Sequence, residues 1–160
     1  MKRLFNYIVR AKLEYASAVW TPYHHKYVDF IQQVQINFLQ YLLFRISGEY
    51  PRHARHSDLL SGSGYRSLES RRDVCLATTA FKVVRGIYEC PQLLDAFGLL
   101  APENYLRARG RDLFQVPVGR TDVIVRHPVT RSIGMLNFVH RANDVISMSL
   151  YEFSIFQKCL

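Results

Sequence analysis

The sequence predicts a mainly α fold: a helical hairpin plus further packed helices, with an irregular basic extended segment in the C-terminal half. Three observations predict it. Apolar residues recur at three- and four-residue steps over 2–20, 26–45 and 68–86, the spacing that lines one face of an α-helix. Capping residues, glycine and proline fall near the ends of those runs. Between 99 and 127 the helical period fades, and prolines, glycines and arginines take over.

The spacing of Leu4, Ile8, Ala11, Tyr15 and Val19 predicts a first helix over 2–20. It opens inside a strong pattern with no capping signal, as a helix cut from a longer parent would. Thr21-Pro22 ends it, because the residue before proline is pushed out of the helical region. Tyr27, Phe30, Ile31, Val34, Phe38, Tyr41 and Leu42 carry a second helix over 26–45. Its other face is polar but uncharged, with Gln32, Gln33, Gln35, Asn37 and Gln40. That face suits ordinary packing under another helix or burial against a partner. The joint at Pro22–His25 is short, so the two helices should pair antiparallel.

Pro51 suits the start of a short basic helix over 51–60. Ser61-Gly62-Ser63-Gly64 reads as a flexible break, and Ser67 as the cap of a long helix over 68–86. A short helix follows Cys90-Pro91, giving a helical domain over 1–98 (hairpin 2–45, helices 51–60, 68–86 and 91–97). Residues 99–127 read as an extended basic arm in which Leu113–Val118 and Thr121–Val125 are β-like, although Pro117 forbids a central strand. Residues 128–160 hold the C-terminal helices. Pro128 starts one reaching about Met148, and Ser149 with Glu152 forms a capping box for the last.

Of the 160 residues 49% are hydrophobic and 13% aromatic, enough for a core and unlike a disordered chain. The net charge is +8, and 16 of the 21 cations are arginine. Such a balance favours polyanionic partners, since the guanidinium group binds phosphate in two-point contacts. Cys75, Cys90 and Cys159 are odd in number and widely spaced, which argues against a disulfide framework or zinc ribbon. A reducing intracellular setting, cytoplasm or nucleus, is expected. No run approaches the apolar length of a membrane span, so no membrane partner is expected.

Catalytic patterns are not found. There is no nucleophile elbow, no phosphate-binding loop and no adjacent aspartates for a two-metal site. His53 and His56 stand three apart, but a zinc site needs at least three protein ligands. Neither a cofactor nor a metal is expected, and no catalytic residue is assigned. The basic groups remain. Arg52, Arg55, Arg66, Arg71 and Arg72 form one. Arg107, Arg109, Arg111, Arg120, Arg126 and Arg131 form another, with Tyr105 and Phe114 interleaved. Arginines with aromatics can follow a nucleic-acid strand by charge and stacking. Arg71 and Arg72 lie near a predicted helix N-terminus, where the dipole disfavours cations, so an anion there would compensate.

The block Val9-Arg10-Ala11-Lys12-Leu13-Glu14-Tyr15-Ala16-Ser17-Ala18-Val19-Trp20-Thr21-Pro22 resembles a segment of non-LTR (LINE-like) retrotransposon polyproteins, just downstream of the reverse transcriptase palm. Tyr27–Phe44 is similar to the helix that follows there. Leu68-Glu69 with Arg71-Arg72, Cys90-Pro91-Gln92-Leu93-Leu94, Phe114 with Val116-Pro117, and Asn137 resemble later landmarks. The resemblance implies a thumb or post-thumb region that helps to hold template and primer. The palm aspartates of such RNA-directed DNA polymerases have no counterpart in this sequence. The expectation is therefore a non-catalytic C-terminal fragment that contacts RNA or DNA backbone in support of a polymerase core lying upstream. A helical protein-interaction module or an inactive genomic remnant is the alternative.

Overall fold

Apolar periodicity is met by helices throughout the described chain, which is mainly α as the sequence predicts. The computed structural model describes residues 1–20, 22, 24–51, 54–100 and 112–156. The chain forms two compact units, Met1–Arg72 and Asp73–Leu160. The boundary between them falls at Arg72 and Asp73.

In the first unit, α1 (Lys2–Leu4), a π-helical stretch (Phe5–Arg10) and α2 (Ala11–Glu14) run on without a break. Helix α3 (His25–Ser47) follows, then α4 (His56–Ser63). The first helix stops well short of Pro22. Tyr15 leaves the helical region at ψ 130°, and Ala16 takes a left-handed φ of 51°. A left-handed alanine costs about 1–2 kcal/mol. Local bonds offset it: the Val19 and Trp20 N–H groups donate to the Ala16 carbonyl, and the Trp20 indole N–H donates to the Tyr15 carbonyl.

Helix α3 ends on Gly48, left-handed at φ 77°, whose N–H caps the Phe44 carbonyl at 2.9 Å. Phe5 stacks on Phe38 with ring centroids 3.9 Å apart. That stack ties the first helix to α3. Ile36, Leu39 and Leu59 form the small buried core, with Phe38, Leu43 and Tyr65 packed around it. Helix α4 begins at His56 rather than at Pro51. Ser61–Ser63 belongs to it, and Gly64 at φ 73° closes it, so the Ser-Gly stretch is a helix end and not a flexible break.

Helix α5 (Leu68–Val84) is capped as predicted: Ser67 Oγ accepts from the Ser70 N–H at 3.1 Å. The second unit continues with α6 (Pro91–Asp95), α7 (Asp122–Val125), α8 (Pro128–Ala142) and α9 (Leu150–Phe156). Pro91 and Pro128 each occupy the first helical turn. Ser149 and Glu152 form the reciprocal capping box, at 2.7 and 3.3 Å. Thr121–Val125, read as β-like, contains the single turn α7 instead.

The core of this unit is larger. Phe81, Ile133, Leu136, Val139, Val145 and Phe153 are almost fully buried. Phe81 and Phe153 stack at 4.2 Å. The Leu113–Val118 run forms no strand, only one antiparallel bridge between Leu99 and Phe114. Across it the Leu100 N–H donates to the Leu113 carbonyl and the Gln115 N–H to the Gly98 carbonyl. Phe114's own amide turns to the other side. There the buried side chain of Asn137 accepts from its N–H at 2.9 Å and donates to its carbonyl at 2.8 Å. A side-chain amide thus replaces a neighbouring strand.

Candidate nucleic-acid interface

The basic residues singled out in the sequence sort by what each guanidinium touches. Arg52, Arg107, Arg109 and Arg111 lie outside the described residues, as do His53, Tyr105 and Cys159. Arg55, the residue before α4, is exposed, and so are Arg66 and Arg120; Arg126 is half-buried.

Arg71 and Arg72 have partners inside the first unit. Arg71 grips both carboxylate oxygens of Glu14, one of them at 2.8 Å. Arg10 holds the same carboxylate at 2.9 Å. Burial pushes the Glu14 carboxyl up. Hydrogen bonds from Arg71 and Arg10, and their positive charge, outweigh it and hold the group below its ordinary value of 4.5. The anion expected to compensate cations at the start of α5 is therefore this chain's own glutamate. Arg72 is only 2% exposed, with its guanidinium carbon 5.6 Å from the centre of the Trp20 ring.

In the second unit Arg131 pairs with Asp73. Arg141, at the end of the second basic group, pairs in two-point fashion with Asp112 at 2.9 and 3.0 Å. Asp112, through that hydrogen bond and its charge, raises the pKa of Arg141.

Phe114 cannot act as a stacking aromatic between arginines. It is 2% exposed and meets Phe97 edge-to-face at 6.0 Å. The polar face of α3 is used internally at three of its five positions. Gln35, fully buried, donates to the Arg66 carbonyl at 3.0 Å. Gln32 accepts from the Leu68 N–H at 2.8 Å and so supplies a cap to the first turn of α5. Gln40 accepts from the Tyr50 hydroxyl at 3.1 Å. The uncharged character of that face was the signal for this role.

No group of three or more His, Cys, Asp or Glu side chains among the described residues is placed to hold a metal. Cys75 and Cys90 are free thiols. A mainly apolar cleft of about 360 Å³ in the second unit is lined by Val84, Arg85, Leu94, Phe97, Leu99, Phe114 and Ile146. The Arg85 guanidinium donates there to the Ile146 carbonyl. No helix among the described residues is long and apolar enough to cross a membrane. The class of the chain is thus a mainly α protein with a basic surface. No family model, curated protein or solved structure matches it.

Proposed function

We propose that the chain is the C-terminal, thumb-side portion of a LINE-like RNA-directed DNA polymerase. In this reading it contacts RNA or DNA backbone without sequence preference, supports an upstream polymerase core and carries no polymerase chemistry itself. The observation that carries the reading is the Val9–Pro22 block, together with a net charge of +8 supplied mostly by arginine. Arg55, Arg66 and Arg120 are the described members of the basic set that face solvent. They are the residues we assign to phosphate. Arg71, Arg72 and Arg131 act first on the fold, through Glu14, Trp20 and Asp73.

The test is binding of the full chain to mixed-sequence single-stranded RNA and DNA, followed by fluorescence anisotropy over a salt series. Backbone contact predicts a steep linear fall of log affinity with log salt. Substituting Arg55, Arg66 and Arg120 together by alanine should lower that slope by roughly 2, at about 0.7 per phosphate contact. Binding that ignores salt, or no binding at low salt, sinks the reading. Primer extension by this chain alone would overturn its assignment as non-catalytic.

A further inference from the structure

We propose that the outer face of the hairpin docks an amphipathic helix of a protein partner, one whose apolar stripe is flanked by carboxylates. Both hairpin helices are covered on one side by the same stretch of chain. Asn6 accepts from the Tyr65 hydroxyl, Glu14 holds Arg71, and Gln32 and Gln35 hold the backbone at Leu68 and Arg66. On the side away from that stretch each helix carries a second apolar stripe, open to solvent. Leu4 and Ile8 form it on the first helix, with Tyr15, 77% exposed, just past its end. On α3 it consists of Tyr27, Phe30, Val34, Tyr41 and Phe44, with Phe30 74% exposed.

On α3 these positions recur at three- and four-residue steps in a heptad register, with the exposed Asn37 filling the remaining place. Helix α3 therefore has Ile36 and Leu39 buried on one face and aromatics bare on the other. A helix apolar on opposite faces is the kind that ends up between two layers.

Size and charge point to the occupant. Helix α3 is ~35 Å long and the first helix, Lys2–Glu14, ~20 Å, each presenting a strip ~10 Å wide. The combined area, ~550 Å², is that of a small interface, below the roughly 800 Å² per partner of a standard one, and suits a single docked helix. The margin is basic. Lys12 lies four residues after Ile8, Lys26 four before Phe30 and Arg45 four after Tyr41, and all three are exposed. No exposed carboxylate stands at a three- or four-residue step from the named stripe residues. A second copy would bring the same cations against these, whereas acidic flanks complement them. The inference does not depend on kinship with a polymerase, since the face involves none of the arginines assigned to phosphate.

The probe is a synthetic helical peptide with leucine at both heptad seam positions and glutamate flanks, compared with its lysine-flanked counterpart. The full chain should bind the glutamate peptide at least about tenfold more tightly than the lysine one. Phe30→Ser with Tyr41→Ser should weaken binding by about tenfold or more while leaving Tm unchanged. Should that variant misfold, Lys26→Glu with Arg45→Glu decides the matter, because it must shift preference toward the lysine peptide. Saturating mixed-sequence RNA should leave peptide binding intact. Equal affinity for both peptides, or an unchanged preference after the charge swap, overturns the proposal. So does displacement by RNA, which would make this the nucleic-acid surface. Self-association that the serine variant abolishes would make a second copy the occupant, with the same consequence.

Discussion

The two units are stabilised by different means. Residues 73–160 enclose a core of near-fully buried aliphatic and aromatic side chains around the Phe81–Phe153 stack. Among the described residues of 1–72 only Ile36, Leu39 and Leu59 join in a buried apolar cluster, with Phe5 and Leu68 buried apart from it. The first unit relies on polar ties instead: Glu14 between Arg71 and Arg10, Tyr65 on Asn6, Gln35 on Arg66, Gln32 on Leu68. Apolar burial is non-directional and nearly independent of pH. Ties through a carboxylate depend on its charge and on their geometry. At the surface the first unit leaves Tyr7, Tyr15, Val19, Phe30 and Ile46 more than 70% exposed, and the second leaves Val118 and Tyr151 so. A unit with a small core and a bare apolar face is the one suited to completion by a partner.

The largest effect that tests this contrast is in the second core. Phe81→Ala removes a fully buried ring and should cost about 3–5 kcal/mol in urea unfolding followed by far-UV circular dichroism. A loss below about 1 kcal/mol would mean that this core collapses onto the gap, and the contrast would fail. Asn137→Leu comes next. It keeps side-chain volume but leaves both the N–H and the carbonyl of Phe114 without their buried partner. The expected cost is about 2–6 kcal/mol, since each of the two abandoned buried polar groups costs about 1–3. A neutral result would show that the Leu99–Phe114 bridge does not need Asn137.

Much of the fold is legible in the sequence wherever local chemistry decides it. Ser67, the Ser149–Glu152 box, Gly48, Pro91 and Pro128 mark helix ends that the structure confirms within a residue or two. What was not legible was decided by distant contacts. The first helix ends at Glu14, whose side chain is held by an arginine 57 residues later, and the chain then turns through Ala16. Periodicity finds an apolar stripe but does not say whether it is buried. Leu4, Ile8 and Tyr15, whose spacing predicts the first helix, are exposed, and Phe5 beside them packs inward. The candidate site follows the same rule. Arginine clusters are visible in composition. Which of them are engaged depends on Asp73 and Glu14, which lie 58 and 57 residues from Arg131 and Arg71.

The smallest effect is also the most specific to the first unit. Glu14 has a folded pKa below its ordinary 4.5, so the unfolded chain binds the proton more readily. Its stabilisation is therefore complete above about pH 4.5 and is lost as pH falls through the lower folded value. The pair is partly open to water, with 35% and 23% of the Arg71 and Glu14 side chains exposed. Screening limits the benefit to about 1 kcal/mol. Glu14→Gln should cost that amount at pH 7 and nothing at the acid end, so the two pH curves should converge. Trp20 is the only tryptophan and lies in this unit, against Arg72. Its fluorescence in a urea series therefore reads the first unit, while circular dichroism reads the whole chain. If the units differ as their cores suggest, acid should move the Trp20 midpoint below the dichroism midpoint in the wild type and less so in Glu14→Gln. Coincident midpoints at every pH would mean that the chain unfolds as one body, and that the polar ties of the first unit are no weaker than the core of the second.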